Sequence, residues 1–388
     1  MRSLFLVASL TLLLAACSSR PPAPAEKPVV DARYIPAEWS ALPGWPGDQL
    51  SASWEAWLQS CKRLQNRADW KALCVQAQAL QTQAGSAPDD AAIRAYFENG
   101  FQPWQIENTV SGSTGLITGY YEALLKGSRE AKPGSVPLYG VPDDMLTIEL
   151  GSVYPDLKSM RLRGRVAGNK VLPYWSRADI DAGRAALPST KVLAWADNAV
   201  DAFFMEVQGS GRVQLEDGSM IRLGYADQNG QPYKSIGRWL VDQGEMTLDQ
   251  ASMQSIRAWA EANPQRLPEL LAANPSYVFF RIAADASGGP IGALNVPLTD
   301  GASMAVDPKF IPLGSPVFLA TTRPDNGAPL NRLMQAQDTG GAIRGPVRGD
   351  FFWGFGAEAA ATAGKMKQKG QLWLLRPKGM SPPELKAP

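Results

Sequence analysis

Three aspartates near the C-terminus lie in segments where a carboxylate could do chemistry. Asp307 is in segment 306–314 (VDPKFIPLG), Asp338 in 337–343 (QDTGGAI) and Asp350 in 349–354 (GDFFWG). Glycine and aromatic rings around Asp350 would remove hydration from its carboxylate, which raises the pKa and favours a protonated general acid. Asp338 precedes glycines, so we expect it to accept backbone N–H bonds and stay ionised. The residues alone leave open that Asp350 only forms a turn or a structural hydrogen bond.

The composition limits which catalytic systems the chain can use. It has 388 residues, with 38 Lys and Arg, 37 Asp and Glu, and no histidine. Without imidazole, Ser-His-Asp and Cys-His nucleophile systems and His-containing zinc sites are excluded, so carboxylates must carry any acid–base catalysis. The net charge of +1 gives no field that would attract nucleic acid. We therefore expect no metal ion, no cofactor and no nucleic-acid partner.

The first residues predict a lipoprotein. A short basic start is followed by an apolar run over 4–16 that is too short to span a bilayer, which is typical of a signal peptide (1–16). The run ends in LAAC, which resembles the bacterial lipobox, so Cys17 is predicted to be lipidated and to anchor the chain in a membrane. Ser18 after the cysteine implies an outer-membrane lipoprotein facing the periplasm. The alternative is an ordinary secretory signal with an incidental cysteine.

A tether and a helical region follow. Residues 17–36 are rich in Pro, Ala and Ser, which predicts an extended tether. Apolar residues at helical spacing predict helices over 50–64 and 70–77, with a break near Asn66, and a further helix over 89–99. Cys61 and Cys74 each lie on an apolar face. In an oxidising compartment they could form a disulfide, but two buried free thiols remain an alternative because spacing alone does not fix the Cα separation.

Beyond Gly100 the pattern changes to strands and turns. Strands are predicted over 114–121, 202–208, 277–281, 317–320 and 372–375. Asp217-Gly218 and Asn229-Gly230 are typical of hairpin turns. Thr247 and Gln250 predict a capping box at the start of a helix that contains Met253. The sequence therefore predicts a mainly β protein with an N-terminal helical part.

The three aspartate segments resemble the three-aspartate (3D) domain, a double-psi β-barrel, as it occurs in the family of membrane-bound lytic murein transglycosylase A. Other segments match that family in order: 118–122 (TGYYE), 172–178 (LPYWSRA), 203–212 (FFMEVQGSGR), 224–225 (GY), 233–238 (YKSIGR) and 274–280 (NPSYVFF). The family often has a polar residue and proline after GYY, where this chain has Glu122 and Ala123. That difference concerns loop stiffness more than chemistry.

The resemblance implies a fold with two β domains. Residues 37–118, with the N-terminal helices, and 284–388 would form the double-psi barrel domain, and 119–283 would form an inserted second β-barrel. The substrate groove would lie between them. The implied partners are peptidoglycan glycan strands, the outer membrane through Cys17, and, as a suggestion from the same family, other murein synthases and hydrolases.

The resemblance also implies a reaction and roles for named residues. The β-1,4 bond between N-acetylmuramic acid (MurNAc) and N-acetylglucosamine (GlcNAc) would be cleaved to leave 1,6-anhydro-MurNAc ends. Asp350 would act as acid and then as base, Asp338 would stabilise developing positive charge or orient the acid, and Asp307 would hold the barrel loop. The expected sugar contacts are Gln208, Gly209, Ser210, Tyr120, Tyr121, Thr339 and Gly340.

Two other functions fit the same residues. A hydrolytic glycosidase on this barrel would keep Asp350 as the acid and use Asp338 as the base that activates water. A lipoprotein without enzymatic activity could bind glycan and act as a scaffold for murein enzymes.

Overall fold

A computed structural model describes residues 31–158, 160–283 and 288–384. The signal peptide, Cys17 and tether residues up to 30 lie outside the described residues. Within the described ranges, no helix is long and apolar enough to cross a membrane.

The secondary structure is mainly β, with helices at the N-terminus and in the middle of the chain and one short helix near the C-terminus. The described strands are β1 (Ala32–Pro36), β2 (Phe101–Asn108), β3 (Gly115–Ser128), β4 (Val136–Tyr139), β5 (Leu146–Ile148), β6 (Leu162–Ala167), β7 (Lys170–Pro173), β8 (Val192–Ala196), β9 (Ser210–Gln214), β10 (Met220–Gln228), β11 (Val278–Ile282), β12 (Ser303–Val306), β13 (Pro316–Thr322), β14 (Pro329–Asp338), β15 (Arg348–Phe355) and β16 (Lys367–Pro377). The described α-helices are α1 (Ser51–Leu64), α2 (Ala68–Ala84), α3 (Asp90–Gly100), α4 (Arg177–Asp181), α5 (Ala199–Gln208), α6 (Ile236–Asp242), α7 (Met253–Ala262), α8 (Leu267–Ala272) and α9 (Ala357–Ala363).

The N-terminal helices form a cap that packs on the barrel strands. Helices α1 and α2 are joined by the disulfide Cys61–Cys74, with 5.2 Å between the Cα atoms, so the paired alternative is the correct one. Their buried tryptophans share one hydrophobic cluster with Phe318 of β13 and Trp373 of β16. The end of the predicted tether is wrong, because residues 32–36 form β1 and pair antiparallel with β2.

Strand pairing closes the C-terminal part of the chain into a barrel. The order is β16-β13-β14-β12-β15-β3, and β3 pairs back to β16. Its interior is a dense apolar cluster that includes Ile117, Met304, Val317 and Phe351. The double-psi connection implied by the resemblance stays a prediction.

The long strand β3 leaves this barrel and continues into a second sheet. Its later residues pair in parallel with β9 and antiparallel with β8, which gives the order β4-β8-β3-β9-β10-β11. A bridge between Gly140 and Phe280 brings the end of β4 against β11. Helices α5 to α8 share a separate apolar cluster with residues such as Phe203 and Leu240. One strand thus connects two sheet structures, and the groove described below lies where they meet.

The predicted strand over 202–208 is wrong, because these residues belong to helix α5. The side chain of Asn198 caps the helix by accepting the N–H groups of Val200 and Asp201, and Gly209 ends it in the left-handed conformation with φ 81°. Residues on nearly all sides of this helix are buried and mostly apolar, so the sequence shows no polar face at helical spacing. Such a continuous apolar segment cannot be told from a buried strand by its pattern alone. The Asn and Gly at its ends were the available helix signals.

One predicted hairpin turn and one predicted helix cap also differ from the structure. Asn229 does not lead into a hairpin: its amide donates to the carbonyls of Trp175 and Pro275, at 2.8 Å each, and ties three segments together before α6. The capping box of α7 is formed by Ser252 and Ser255. The Gln250 side chain does accept the N–H of Thr247, but within the preceding turn.

Candidate functional site

Strand register brings Asp338 and Asp350 to one face of the barrel. Ala305 of β12 pairs with Asp338 of the parallel neighbour β14 and with Asp350 of the antiparallel neighbour β15. Directly paired residues point to the same face of a sheet, so the two carboxylates lie on the same face as the Ala305 methyl group, one on each side of it. Two strand spacings separate their Cα atoms by about 10 Å, which leaves room for a ligand above Ala305.

Asp350 lies in a half-buried position beside a hydroxyl donor. The parallel pairing of β15 with β3 places it opposite Thr118, whose Oγ1 donates to Oδ1 of Asp350 at 2.5 Å. Arg348 is on the same face of β15. Burial raises the pKa of Asp350, while the Thr118 hydrogen bond and the charge of Arg348 act to lower it. The carboxyl group is therefore biased towards the protonated form, with donors in place for the ionised form.

The aromatic residues after Asp350 contribute less directly than the sequence suggests. Because side chains alternate along a strand, only Phe352 shares the face of Asp350. Phe351 points into the barrel core, where its ring lies 4.6 Å from that of Trp353. Burial within the groove, and not a surround of three rings, is what dehydrates this carboxylate.

Asp338 is the second carboxylate of the groove. Its Oδ1 accepts the N–H of Ala293 at 2.9 Å, and its Oδ2 accepts the hydroxyl of Tyr120 at 3.1 Å. Burial raises its pKa to about 6, although N–H bonds from Thr339 and Ala293 and the Tyr120 hydroxyl oppose the shift. It is therefore mostly ionised at neutral pH.

Asp307 lies outside the groove and ties loops together. Its carboxylate accepts the N–H of Lys309 at 3.1 Å and the N–H of Gly345 at 2.8 Å. Its side chain is buried. These contacts connect the end of β12 to the loop that precedes β15, the strand of Asp350.

The groove has a volume of about 490 Å³ and is lined by residues of both sheet structures. Six of the predicted sugar contacts line it beside the carboxylates, namely Tyr120, Gln208, Gly209, Ser210, Thr339 and Gly340. The side chain of Gln208 accepts the backbone N–H of Tyr121 at 3.0 Å, so its oxygen is already engaged with β3. The end of α5 is thereby fixed against the strand that connects the two parts.

The two predicted tyrosines point in opposite directions. Tyr120 lines the groove, but it is only 7% exposed and its ring packs 5.1 Å from that of Phe352. It supports Asp338 and offers little open ring surface. Tyr121, next along β3, faces the other side, where it lines a separate cavity and its hydroxyl contacts the sulfur of Met253. The structure does not bring the Tyr121 ring into the groove.

Sequence reasoning missed several groove residues. Arg348 could have been found, because it lies two positions before Asp350 and must share its strand face. Glu206 lines the groove but is held by Arg177 in a buried ion pair at 2.6 Å. The remaining polar lining residues that were missed include Arg161, Gln228, Tyr225, Tyr233, Ser276 and Arg281. Their position in the groove depends on contacts and strand register between distant parts of the chain, which the sequence does not show locally.

Across the parts of the chain that the structure describes, no group of three or more His, Cys, Asp or Glu side chains could hold a metal ion. The groove itself holds the Asp350 carboxyl, whose pKa is raised, a mostly ionised Asp338, and hydroxyl, amide and guanidinium donors around them.

Family models match both sheet structures. Residues 116–281 match the MltA specific insert domain, and residues 302–376 match the 3D domain. The chain is therefore a 3D-domain protein that carries this insert, and the groove lies between the two matched parts.

Individual relatives agree over most of the chain. Membrane-bound lytic murein transglycosylase A of Escherichia coli K12 is 36% identical over 287 residues, which cover 71% of this chain and 70% of the relative. The crystal structure of MltA from Neisseria gonorrhoeae is 38% identical, with a TM-score of 0.77 over 92% of this chain and 95% of that one. The structure of E. coli MltA with bound chitohexaose is 28% identical, with a TM-score of 0.66 over 89% and 94%. The chain belongs to the membrane-bound lytic murein transglycosylase A family.

Proposed function

We propose that the chain is a lytic transglycosylase that cleaves the β-1,4 bond between MurNAc and GlcNAc in peptidoglycan. Membership of the family supports this activity, and so does the similarity to an E. coli enzyme whose structure holds chitohexaose, a β-1,4-linked sugar chain. The observation that carries the proposal is Asp350, a groove carboxyl with a raised pKa beside a hydroxyl donor.

In the first step Asp350 acts as a general acid. Its carboxyl proton moves to the glycosidic oxygen while the bond from that oxygen to C1 of MurNAc breaks. Burial favours the protonated form that this step needs. The ionised Asp338, held by Ala293, Thr339 and Tyr120, stabilises the positive charge that develops at C1.

In the second step the same group acts as a base. The C6 hydroxyl of MurNAc forms a bond to C1, and its proton returns to the Asp350 carboxylate, which closes the 1,6-anhydro ring and restores the enzyme. Thr118 and Arg348 stabilise the carboxylate between the steps. The substrate supplies the nucleophile, so a second catalytic base is not required.

Further parts of the proposal concern domains and binding. Residues 119–283 form the insert, and 37–118 with 284–388 form the barrel domain, a division that the matches at 116–281 and 302–376 support. Gln208, Ser210, Thr339 and Gly340 contact sugars from the groove walls, and Gly209 lets the backbone approach the strand. Asp307 is structural.

The proposed location is the outer membrane, facing the periplasm. Lipidation of Cys17, which lies outside the described residues, would anchor the chain there. The relatives are named membrane-bound, which supports attachment to a membrane.

The test is digestion of purified sacculi followed by mass spectrometry of the released muropeptides. The proposal predicts anhydro products, which are lighter by one water than reducing-end products. Asp350→Asn should abolish release while sacculus binding remains, and Asp325→Asn, an exposed acid of the same domain paired with Arg323, should behave as wild type. Reducing-end products alone would indicate a hydrolytic glycosidase, and full function of Asp350→Asn in cells would indicate a scaffold.

A further inference from the structure

The insert wall of the groove carries an exposed arginine in register with a predicted sugar contact. Gly224 of β10 pairs with Ser210 of β9 on one side and with Arg281 of β11 on the other. Paired residues point to the same face, and Ser210 and Arg281 both line the groove. A Cβ added at Gly224 would meet no atom within 4 Å, so the space above Gly224, between the side chains of Ser210 and Arg281, is open.

A second exposed arginine reaches the same wall. Arg161 lies just before β6, and its guanidinium donates to the hydroxyl of Tyr225 at 3.1 Å and lies 5.7 Å from the centre of that ring. Tyr225 follows Gly224 directly on β10. Arg161, Tyr225 and Arg281 all line the groove, so both arginines lie beside the same short stretch of β10.

These two guanidinium groups differ from their neighbours because they lack carboxylate partners among the described residues. Nearby Arg163 is paired with Asp227 at 2.8 Å, and Arg177 with Glu206 at 2.6 Å. The ion pairs of the described residues include neither Arg161 nor Arg281, and both side chains are exposed. The two positive charges of Arg161 and Arg281 therefore face the groove without a carboxylate partner among the described residues.

The charge of the substrate identifies what they would bind. GlcNAc is neutral, whereas MurNAc carries on O3 a lactyl group whose carboxyl is either free or linked to a stem peptide that itself bears carboxylates. Guanidinium groups bind carboxylates in a planar, two-point geometry. We propose that Arg281 and Arg161 form a carboxylate-binding subsite for the O3 substituent of MurNAc. This inference rests on the proposed peptidoglycan substrate.

The subsite would select for MurNAc-containing strands rather than for sugar chains in general. Hydrogen bonds to charged groups are worth enough to change affinity by about tenfold each, and exposure to solvent reduces this. We therefore expect Arg281→Gln to lower kcat/KM on anionic strands by roughly fivefold to tenfold, and the double variant with Arg161→Gln to lower it further. The effect should shrink as salt is raised, because exposed charges are screened.

The experiment compares wild type, Arg281→Gln, the double variant and Arg129→Gln, an exposed arginine outside the groove, as the matched control. Three substrates are used with the full chain. Strands with stem peptides test peptide carboxylates, strands freed of peptide by an amidase test the lactyl carboxylate, and binding of chitohexaose tests a sugar chain without either group.

A loss on peptide-bearing strands only assigns the subsite to peptide carboxylates, and a loss on peptide-free strands only assigns it to the lactyl group. A loss on both, with chitohexaose binding unchanged, supports recognition of either carboxylate. Equal weakening on all three substrates, or no change in any, would overturn the inference. If wild type released no anhydro product, the proposed function itself would fail, which is a separate result.

Discussion

Replacing Thr118 with valine tests how the groove sets the proton affinity of Asp350. Thr118 Oγ1 donates to the Asp350 carboxylate at 2.5 Å, and parallel pairing of β3 with β15 fixes the two residues side by side. Valine keeps the β-branched shape that suits a strand but removes the donor. Since the hydrogen bond favours the ionised form, its loss should raise the pKa of Asp350 beyond the increase that burial already causes.

The size of the shift follows from the strength of the bond. A hydrogen bond to a charged group contributes about 1.5–3 kcal/mol, and one pKa unit corresponds to about 1.4 kcal/mol. Thr118→Val should therefore raise the pKa of Asp350 by roughly one to two units. The acid step needs protonated Asp350, so activity falls as pH rises through this pKa. The alkaline limb of the pH profile should therefore move to higher pH by the same amount.

The assay is the initial rate of anhydro-muropeptide release, measured as kcat/KM from acidic to alkaline pH. Thr118→Ser keeps the hydroxyl and is the matched control, for which the alkaline limb should stay in place. An alkaline limb that does not move in Thr118→Val, or that moves to lower pH, would refute the assigned role of this hydrogen bond.

Other predictions address the second carboxylate and the stability of the fold. Asp338 must be ionised to stabilise positive charge, so wild-type activity should fall as pH drops through about 6, whereas Asp338→Asn should lose this acid limb and roughly a hundredfold in rate. Replacing Cys61 and Cys74 by serine should lower the free energy of unfolding by about 3 kcal/mol, measured with guanidinium chloride, with little change in activity. Arg177→Met leaves Glu206 buried without its partner and should cost about 3–5 kcal/mol in the same measurement, while the double replacement with Glu206→Gln should recover part of it.

Much of the fold could be predicted because local signals agree with the final structure. The first helix was predicted over 50–64 and is found at Ser51–Leu64, since its apolar spacing and its packing on the barrel favour the same face. Helix α5 was missed for the opposite reason: it is buried on nearly all sides, so burial removed the polar face on which the periodicity signal depends. Strand β1 was missed because a short edge strand next to a Pro-rich segment has little pattern of its own.

The site could be predicted by residue but not by geometry. The motifs indicated Asp338 and Asp350, yet their common face is set by pairing to Ala305, and the hydroxyl beside Asp350 comes from a strand more than two hundred positions earlier in the chain. Both Tyr120 and Tyr121 were predicted to contact sugar, but side chains alternate along β3 and only Tyr120 faces the groove. Which one does so depends on how β3 passes from the barrel to the insert, and the sequence carries no local signal for that.

The absence of histidine makes the environment of the carboxylates decisive. An acid that later serves as a base needs a proton affinity between two extremes, and no imidazole with an intermediate pKa is available in this chain. The groove supplies opposing effects: burial raises the pKa of Asp350, whereas Thr118 and Arg348 lower it. Without burial the Asp350 carboxylate would hold its proton less strongly, and without the donors the carboxyl would release its proton less readily. In the proposed mechanism, the balance between these effects, more than the identity of the residue, would let a single aspartate take both roles.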